Sequence, residues 1–331
     1  MVAGNVANTR FNFQGSGLGT PAATSFYGLQ LAGGSLVTGT GENAYFEETT
    51  GAQMRSDVYA VERHGAGNPE FLARVKGASG LLYGVLGTDT PTGAGDPYSH
   101  VLTHADTLPY ITWWSHLGGL EFDEVSDTKI SQLVISGETG QPLRLSVTVE
   151  GIRPRHQAAE ETTATVEVGD APVFYDGDGA LMLEGAAVAS IGSFTCTINR
   201  NVTRIMGDGL LPIDLAEGLF SVEWSVGKLY TAISMRKRLM YGAGAPSNDT
   251  EVVETVLQLG ATGIDMKFTQ STGPERSIQI ECPNVTVSPY EVPPNTDGSP
   301  LREEIPMIAL DDGVDEPITV TILNDIADLT P

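Results

Sequence analysis

At 331 residues, with 40% hydrophobic content, 39 Gly and 19 Pro, the chain has enough apolar material for one large β domain or two packed lobes. Asp and Glu total 42 against 18 Lys and Arg, a formal net charge of -24, and the only lysines are Lys76, Lys129, Lys228, Lys237 and Lys267. Such a surface repels phosphate, which argues against nucleic-acid binding by counterion release and against docking on anionic membranes.

Residues 1 to about 57 are rich in Gly, Thr and Ala and read as an N-terminal arm with short strands at Ser25 to Leu31 and Asn43 to Glu47. A helix is predicted next, with Asn68 as N-cap, Pro69 at its first position and Glu70 favouring the positive end of the dipole. Phe71, Leu72 and Val75 form its apolar stripe, extended by Leu82, Val85 and Leu86 if the helix survives Gly77 and Gly80. Gly87 to Ser99 reads as a loop and Thr107 to Trp114 as a strand. Lys129 to Ser136 and Pro142 to Glu150 flank Gly137 to Gln141 and predict a β-hairpin. In its second strand Leu143, Leu145, Val147 and Val149 alternate with Arg144, Ser146, Thr148 and Glu150, so one face is buried.

The charged stretch Arg153 to Gly169 marks a boundary between two halves. Beyond it, Phe194, Cys196 and Ile198 alternate with Thr195 and Thr197, and Phe220, Val222, Trp224 and Val226 alternate with Ser221, Glu223 and Ser225. Both read as half-buried strands. Leu229 to Met240 predicts a second helix, with Arg236, Lys237 and Arg238 complementing its terminal carbonyls. Strands follow at Val252 to Leu259, Ser277 to Glu281 and Val285 to Val287. A Pro-rich connector, Pro289 to Pro306, leads to a last strand at Ile318 to Leu323. Cys196 and Cys282 share the parity of apolar neighbours, consistent with two buried thiols or with a disulfide between them. The whole reads as mainly β and antiparallel, with helices to one side.

Catalytic signatures are missing. Gly15 to Thr20 is glycine-rich but lacks a phosphate-loop lysine and precedes no helical pattern, and no Gly-x-Ser-x-Gly occurs. His64, His100, His104, His116 and His156 are the available bases or ligands. His100 and His104 would share a strand face, but no Glu accompanies them in metalloprotease order, so surface or turn histidines are expected. Asp176 to Gly179 resembles a calcium turn without its remaining ligands and reads as a β-turn. Asn201, Asn248 and Asn284 begin chance-level glycosylation sequons. No catalytic residue, cofactor or metal site is expected. Met1 to Phe13 lacks a basic start followed by an apolar run, and no stretch reaches membrane-spanning length, so a soluble product made in the cytoplasm is expected.

In order, several segments resemble the tail tube (major tail) proteins of long-tailed double-stranded DNA viruses of bacteria and archaea. They are Pro69-Glu70-Phe71-Leu72 running to Leu86-Gly87, Tyr98 to Leu102, Leu108 to Thr112, and the hairpin Ile130 to Gly137 with Gln141 to Gly151. Gly19 to Ala22 is similar to the family's N-terminal arm, and Gly192 to Asn201 and Ile278 to Val287 to its later strands. The resemblance implies an antiparallel β-sandwich or barrel with a flanking helix. The corresponding division is an arm with a stacking loop over 1–57, a first half of the tube domain over 58–160, and a second half over 161–331.

It further implies a structural virion protein rather than an enzyme, synthesised in the host cytoplasm and located in the tail. Its copies would form rings, usually hexameric, whose inner strands join into one barrel. Rings would stack through the arm and through loops such as Gly41 to Arg55 and Thr88 to Ser99. Other partners implied are the tape measure, terminator and distal tail proteins, and viral DNA would pass through the lumen without specific binding. An acidic bore suits that passage. Adaptation of a haloarchaeal virus to high salt is a second source of the acid excess and Lys scarcity. A tail terminator, baseplate hub or capsid decoration protein is the alternative reading.

Overall fold

The computed structural model describes residues 7–46, 57–93, 95–118, 120–164, 166, 171–175, 181–187, 191–230, 235–242, 252, 256–259, 263–270, 276–292 and 300–330. Strands β1 (Ala7–Phe13), β2 (Tyr27–Gly34), β3 (Thr38–Phe46), β4 (Asp57–Gly67) and β5 (Pro69–Leu72) precede helix α1 (Val75–Leu86). After it come β6 (Gly87–Thr92), β7 (Tyr98–His104), β8 (Ile111–Leu117), β9 (Glu121–Glu138), β10 (Gln141–Pro142) and β11 (Arg144–His156). The second half adds β12 (Phe174–Tyr175), β13 (Leu181–Leu183), β14 (Ala186–Ala187), β15 (Ile191–Asn199), β16 (Thr203–Met206), β17 (Pro212–Ala216) and β18 (Ser221–Leu229). It ends with α2 (Met235–Tyr241), β19 (Gln258–Leu259), β20 (Ile264–Thr269), β21 (Ser277–Cys282), β22 (Val285–Val287), β23 (Arg302–Ala309) and β24 (Thr319–Asn324).

The mainly β expectation holds. Strands β9, β8, β1, β2, β5 and β11 are neighbours in that order within a 13-stranded sheet, and β11 pairs back onto β9, closing six strands into an antiparallel barrel. The predicted hairpin forms the β9–β11 seam, with Arg144 opposite Ser136 and Leu145 opposite Ile135. Sequence left the packing partners of the N-terminal segment open; β1 lies between β2 and β8. There Phe11 stacks on Tyr27 at 4.6 Å and on Trp113 at 4.9 Å between ring centroids. The larger sheet continues past β9 through β15, β18, β23 and β22 to β19, and past β11 through β4 to β3.

A second sheet, in the order β14-β13-β20-β21-β24-β7-β6, faces the first. Phe194 of β15 stacks on Phe268 of β20 at 5.5 Å across the layer. Cys196 of β15 and Cys282 of β21 are fully buried and both are free thiols, so the disulfide alternative does not stand. Helix α1 is buried between the layers, touching β9 and β2 on one side and β7 and β24 on the other. Its glycines permit that approach: a Cβ on Gly80 would lie 2.7 Å from the Tyr27 ring and 2.9 Å from Phe11.

Several boundaries differ from expectation. Pro69–Leu72 is a strand, not a helix start, because Pro69 and Phe71 face inward at a period of two and β5 fills the gap between β2 and β11. The helix begins at Val75, survives Gly77 and Gly80, and ends on Gly87 at φ 95°, whose N–H donates to the Tyr83 carbonyl. The expected loop after Gly87 is the β6–β7 hairpin, whose backbone groups pair from Gly87 with His104 to Thr92 with Ser99. In the second half, β18 runs to Leu229 and the helix is confined to Met235–Tyr241, where Arg238 forms a bidentate pair with Glu184 at 2.7 and 2.8 Å. The Pro-rich connector contains β23, in which Pro306 lies opposite Ser225. Of Val252 to Leu259, Gln258–Leu259 is strand; much of the rest, like Asp176 to Gly179, Asn248 to Thr250 and residues 47–55 of the expected stacking loop, lies outside the described residues.

Candidate assembly surface

The histidines divide by partner. His100 is fully buried, its Nδ1 2.9 Å from Asp89 Oδ2 and its Nε2 2.7 Å from the Ile326 carbonyl. Both partners are acceptors, so the surroundings favour the imidazolium form, in which both ring nitrogens donate. Burial by itself disfavours that charge, but the Asp89 carboxylate and the Ile326 carbonyl outweigh it and raise the His100 pKa above its ordinary 6.5. His104 lies on the same face of β7 but packs against the Phe220 ring at 4.3 Å between centroids, tilted by 35°, and burial followed by nearby Arg200 lowers its pKa. The two therefore share no ligand.

His64 and His116 are also buried, beside Glu62 at 3.0 Å and Glu160 at 3.2 Å, whereas His104 is half-buried and His156 exposed. The expectation of surface or turn histidines fails for His64, His100 and His116, each of which is buried with a carboxylate within 3.2 Å. In the glycine-rich turn, the Gly19 N–H donates to Asp127 Oδ1 at 2.7 Å, so a carboxylate occupies the amide that a phosphate would need. No cluster of three or more His, Cys, Asp or Glu suited to a metal occurs among the described residues.

Open strand edges and exposed apolar side chains distinguish the surface instead. Strand β3 ends the larger sheet. β4 pairs with β11 only from Gly65 to Gly67, so beyond that point β3 and β4 leave the body as a two-stranded arm. Tyr45, Val58, Tyr59 and Val61 of this arm are 49 to 56% exposed. A long exposed edge invites another chain to pair with it.

A second hairpin, β16–β17, escaped the sequence reading. Its strands are four and five residues long, too short for a convincing alternation, although Gly207-Asp208-Gly209 between apolar pairs is a usable turn signal. One side of it is tied to the body. Arg204 reaches Glu62 at 2.6 Å and also pairs with Glu150, and Asp214 accepts from the Tyr110 hydroxyl. Lys129, nearly fully buried, donates to the Leu215 carbonyl at 3.0 Å and to Glu217 at 2.7 Å, with its ammonium 4.3 Å over the Tyr110 ring. The Leu210 carbonyl accepts from the Arg63 N–H of the β3–β4 arm at 2.8 Å.

This combination, a closed barrel with a projecting arm, open edges and no assembled catalytic group among the described residues, suits a subunit that functions by contact with copies of itself. No curated protein matches the chain. A family model described as phage tail tube protein matches residues 7–320, nearly the whole length. The chain therefore belongs to the phage tail tube protein family, structural components of the virion tail and not enzymes.

Proposed function

We propose that six copies of this chain close into a ring and that rings stack into the conduit through which viral DNA is delivered. The observation that carries the stacking is the β3–β4 arm, which leaves the barrel with half-exposed Tyr45, Val58 and Tyr59 and an open β3 edge. Ring closure uses heterologous contacts, and axial stacking of closed rings generates the filament. In this reading β3 and β4 supply the stacking arm, β1 and β2 of the N-terminal segment belong to the barrel, and 58–160 and 161–331 are otherwise two halves of one tube domain. The β6–β7 hairpin is a second candidate for stacking. Each copy brings a net charge of -24, so a bore lined with carboxylates repels phosphate and lets duplex DNA slide. Contacts with tape measure, terminator and distal tail proteins belong to the same reading.

Electron microscopy of the purified full chain tests it. Stacked rings with a bore wide enough for duplex DNA are expected, and a variant with residues 44–59 replaced by a short turn should give rings that do not elongate. Wild-type protein that forms only closed single rings or trimers overturns the tube architecture.

A further inference from the structure

The β16–β17 hairpin is amphipathic in the wrong sense for a free monomer. The side chains of Arg204 and Asp214 and the backbone carbonyl of Leu215 are turned toward the body, where Glu62, Glu150, Tyr110 and Lys129 hold them. Five of its apolar side chains face solvent, while Pro212 and Leu215 are buried: Ile205 and Met206 are each 41% exposed, Leu210 47%, Leu211 43% and Ile213 58%. Within residues 205–213 only Asp208 is charged, in a chain with 60 formally charged Asp, Glu, Lys and Arg residues. Contiguous exposed apolar surface on a rigid element marks an interaction site. The buried Lys129 and the bridging of Glu62 and Glu150 by Arg204 fasten this element to the body.

We infer that the apolar face of the β16–β17 hairpin is a contact surface for a second copy of this chain. The inference rests on the tube reading above, because family membership makes the copy itself the available partner. Electrostatics favours the same occupant. Copies that each carry -24 repel one another over most of their surfaces, so a stable contact needs an uncharged area from which carboxylates are absent. The Arg63 to Leu210 hydrogen bond also makes this face continuous with the base of the β3–β4 arm, so one neighbouring copy can cover both.

The native thiols are silent reporters, since Cys196 and Cys282 are both fully buried. An Ile213→Cys variant of the full chain therefore carries a single reactive site for maleimide labelling. Labelling in assembled tubes is expected to be at least ~10-fold slower than in the dilute monomer, the protection given when an aliphatic position enters an interface. Equal labelling rates in monomer and in visible tubes overturn the inference while leaving the tube reading intact. In parallel, Ile205→Lys with Ile213→Lys should leave the thermal unfolding midpoint unchanged, because both side chains are exposed. The double variant should raise the protein concentration needed for assembly by at least ~10-fold, read by sedimentation. Assembly of this variant at the wild-type concentration also overturns the inference. A wild-type chain that stays monomeric at high concentration across a range of salt overturns both readings.

Discussion

Replacing His100 by Leu should destabilise the fold by about 3 kcal/mol at pH 6, and by less at pH 9. In the native chain the imidazolium bridges Asp89 on β6 and the Ile326 carbonyl, fastening the segment after β24 to the β6–β7 hairpin. The His100 side chain is fully buried and that of Asp89 is 13% exposed. Removing one member of a buried pair typically costs about 3–5 kcal/mol. The lower end applies because Asp89 can partly rehydrate, while the orphaned Ile326 carbonyl adds a penalty of about 1 kcal/mol or more that the new Leu packing offsets. The pH dependence has a definite sign. The folded-state pKa of His100 is raised above 6.5, so the stabilisation is complete below the unfolded value and is lost as pH rises through the folded one. Urea unfolding of dilute monomer, followed by fluorescence of the buried Trp113, Trp114 and Trp224, measures the difference between wild type and variant. A His100→Leu penalty equal at pH 6 and pH 9, or below about 0.5 kcal/mol at both, refutes the assignment of a buried imidazolium.

Three further outcomes follow from the packing. Gly80→Leu brings a Cβ to within 2.7 Å of the Tyr27 ring, and overpacking of this kind should lower stability by about 1–3 kcal/mol in the same denaturation assay despite the better helix propensity of Leu. Lys129→Met removes the cation from Glu217, which keeps only the Leu108 N–H, and takes the ammonium donor from the Leu215 carbonyl, at a cost of about 3 kcal/mol. Faster proteolysis near Gly207 to Gly209 should accompany it, and unchanged cleavage there would show that Lys129 does not anchor the β16–β17 hairpin. Burial pushes the Cys282 thiol up to about 12 and Cys196 well above its usual value. Neither should react with a disulfide reagent at pH 8 until the chain unfolds, and release of a stoichiometric chromophore from native protein would contradict that burial.

The strands legible in the sequence are those with one wet face. β11, β15, β18, β21 and β24 show inward Leu, Val, Ile, Phe or Cys alternating with outward polar residues, and the β9–β11 hairpin carries its own turn chemistry. Segments buried on both faces show no such alternation, and strand composition alone marks Thr107 to Trp114. Ile111 to His116 is buried at every position, because β8 has the barrel core on one side and residues 158–161 near Trp114 and His116 on the other. The start of α1 was misplaced because Asn68-Pro69-Glu70 satisfies the local rules for a helix cap, whereas pairing of β5 between β2 and β11 overrides them. The β16–β17 hairpin shows no core-facing alternation in sequence, because most of its apolar side chains point to solvent and only Pro212 and Leu215 are buried.

The sequence by itself determined the class of the molecule: period-two alternation specifies which face of each strand is buried, and the acid excess specifies what the surface repels. It carried no chemistry that required a catalytic site. Only the tertiary structure decided that β11 returns to β9 and closes a barrel, that His64, His100 and His116 are buried beside carboxylates, and that one hairpin is fastened with most of its apolar side chains outward. The reason is that alternation names a face without naming what will cover it, and the covering partner comes from distant chain or from another copy.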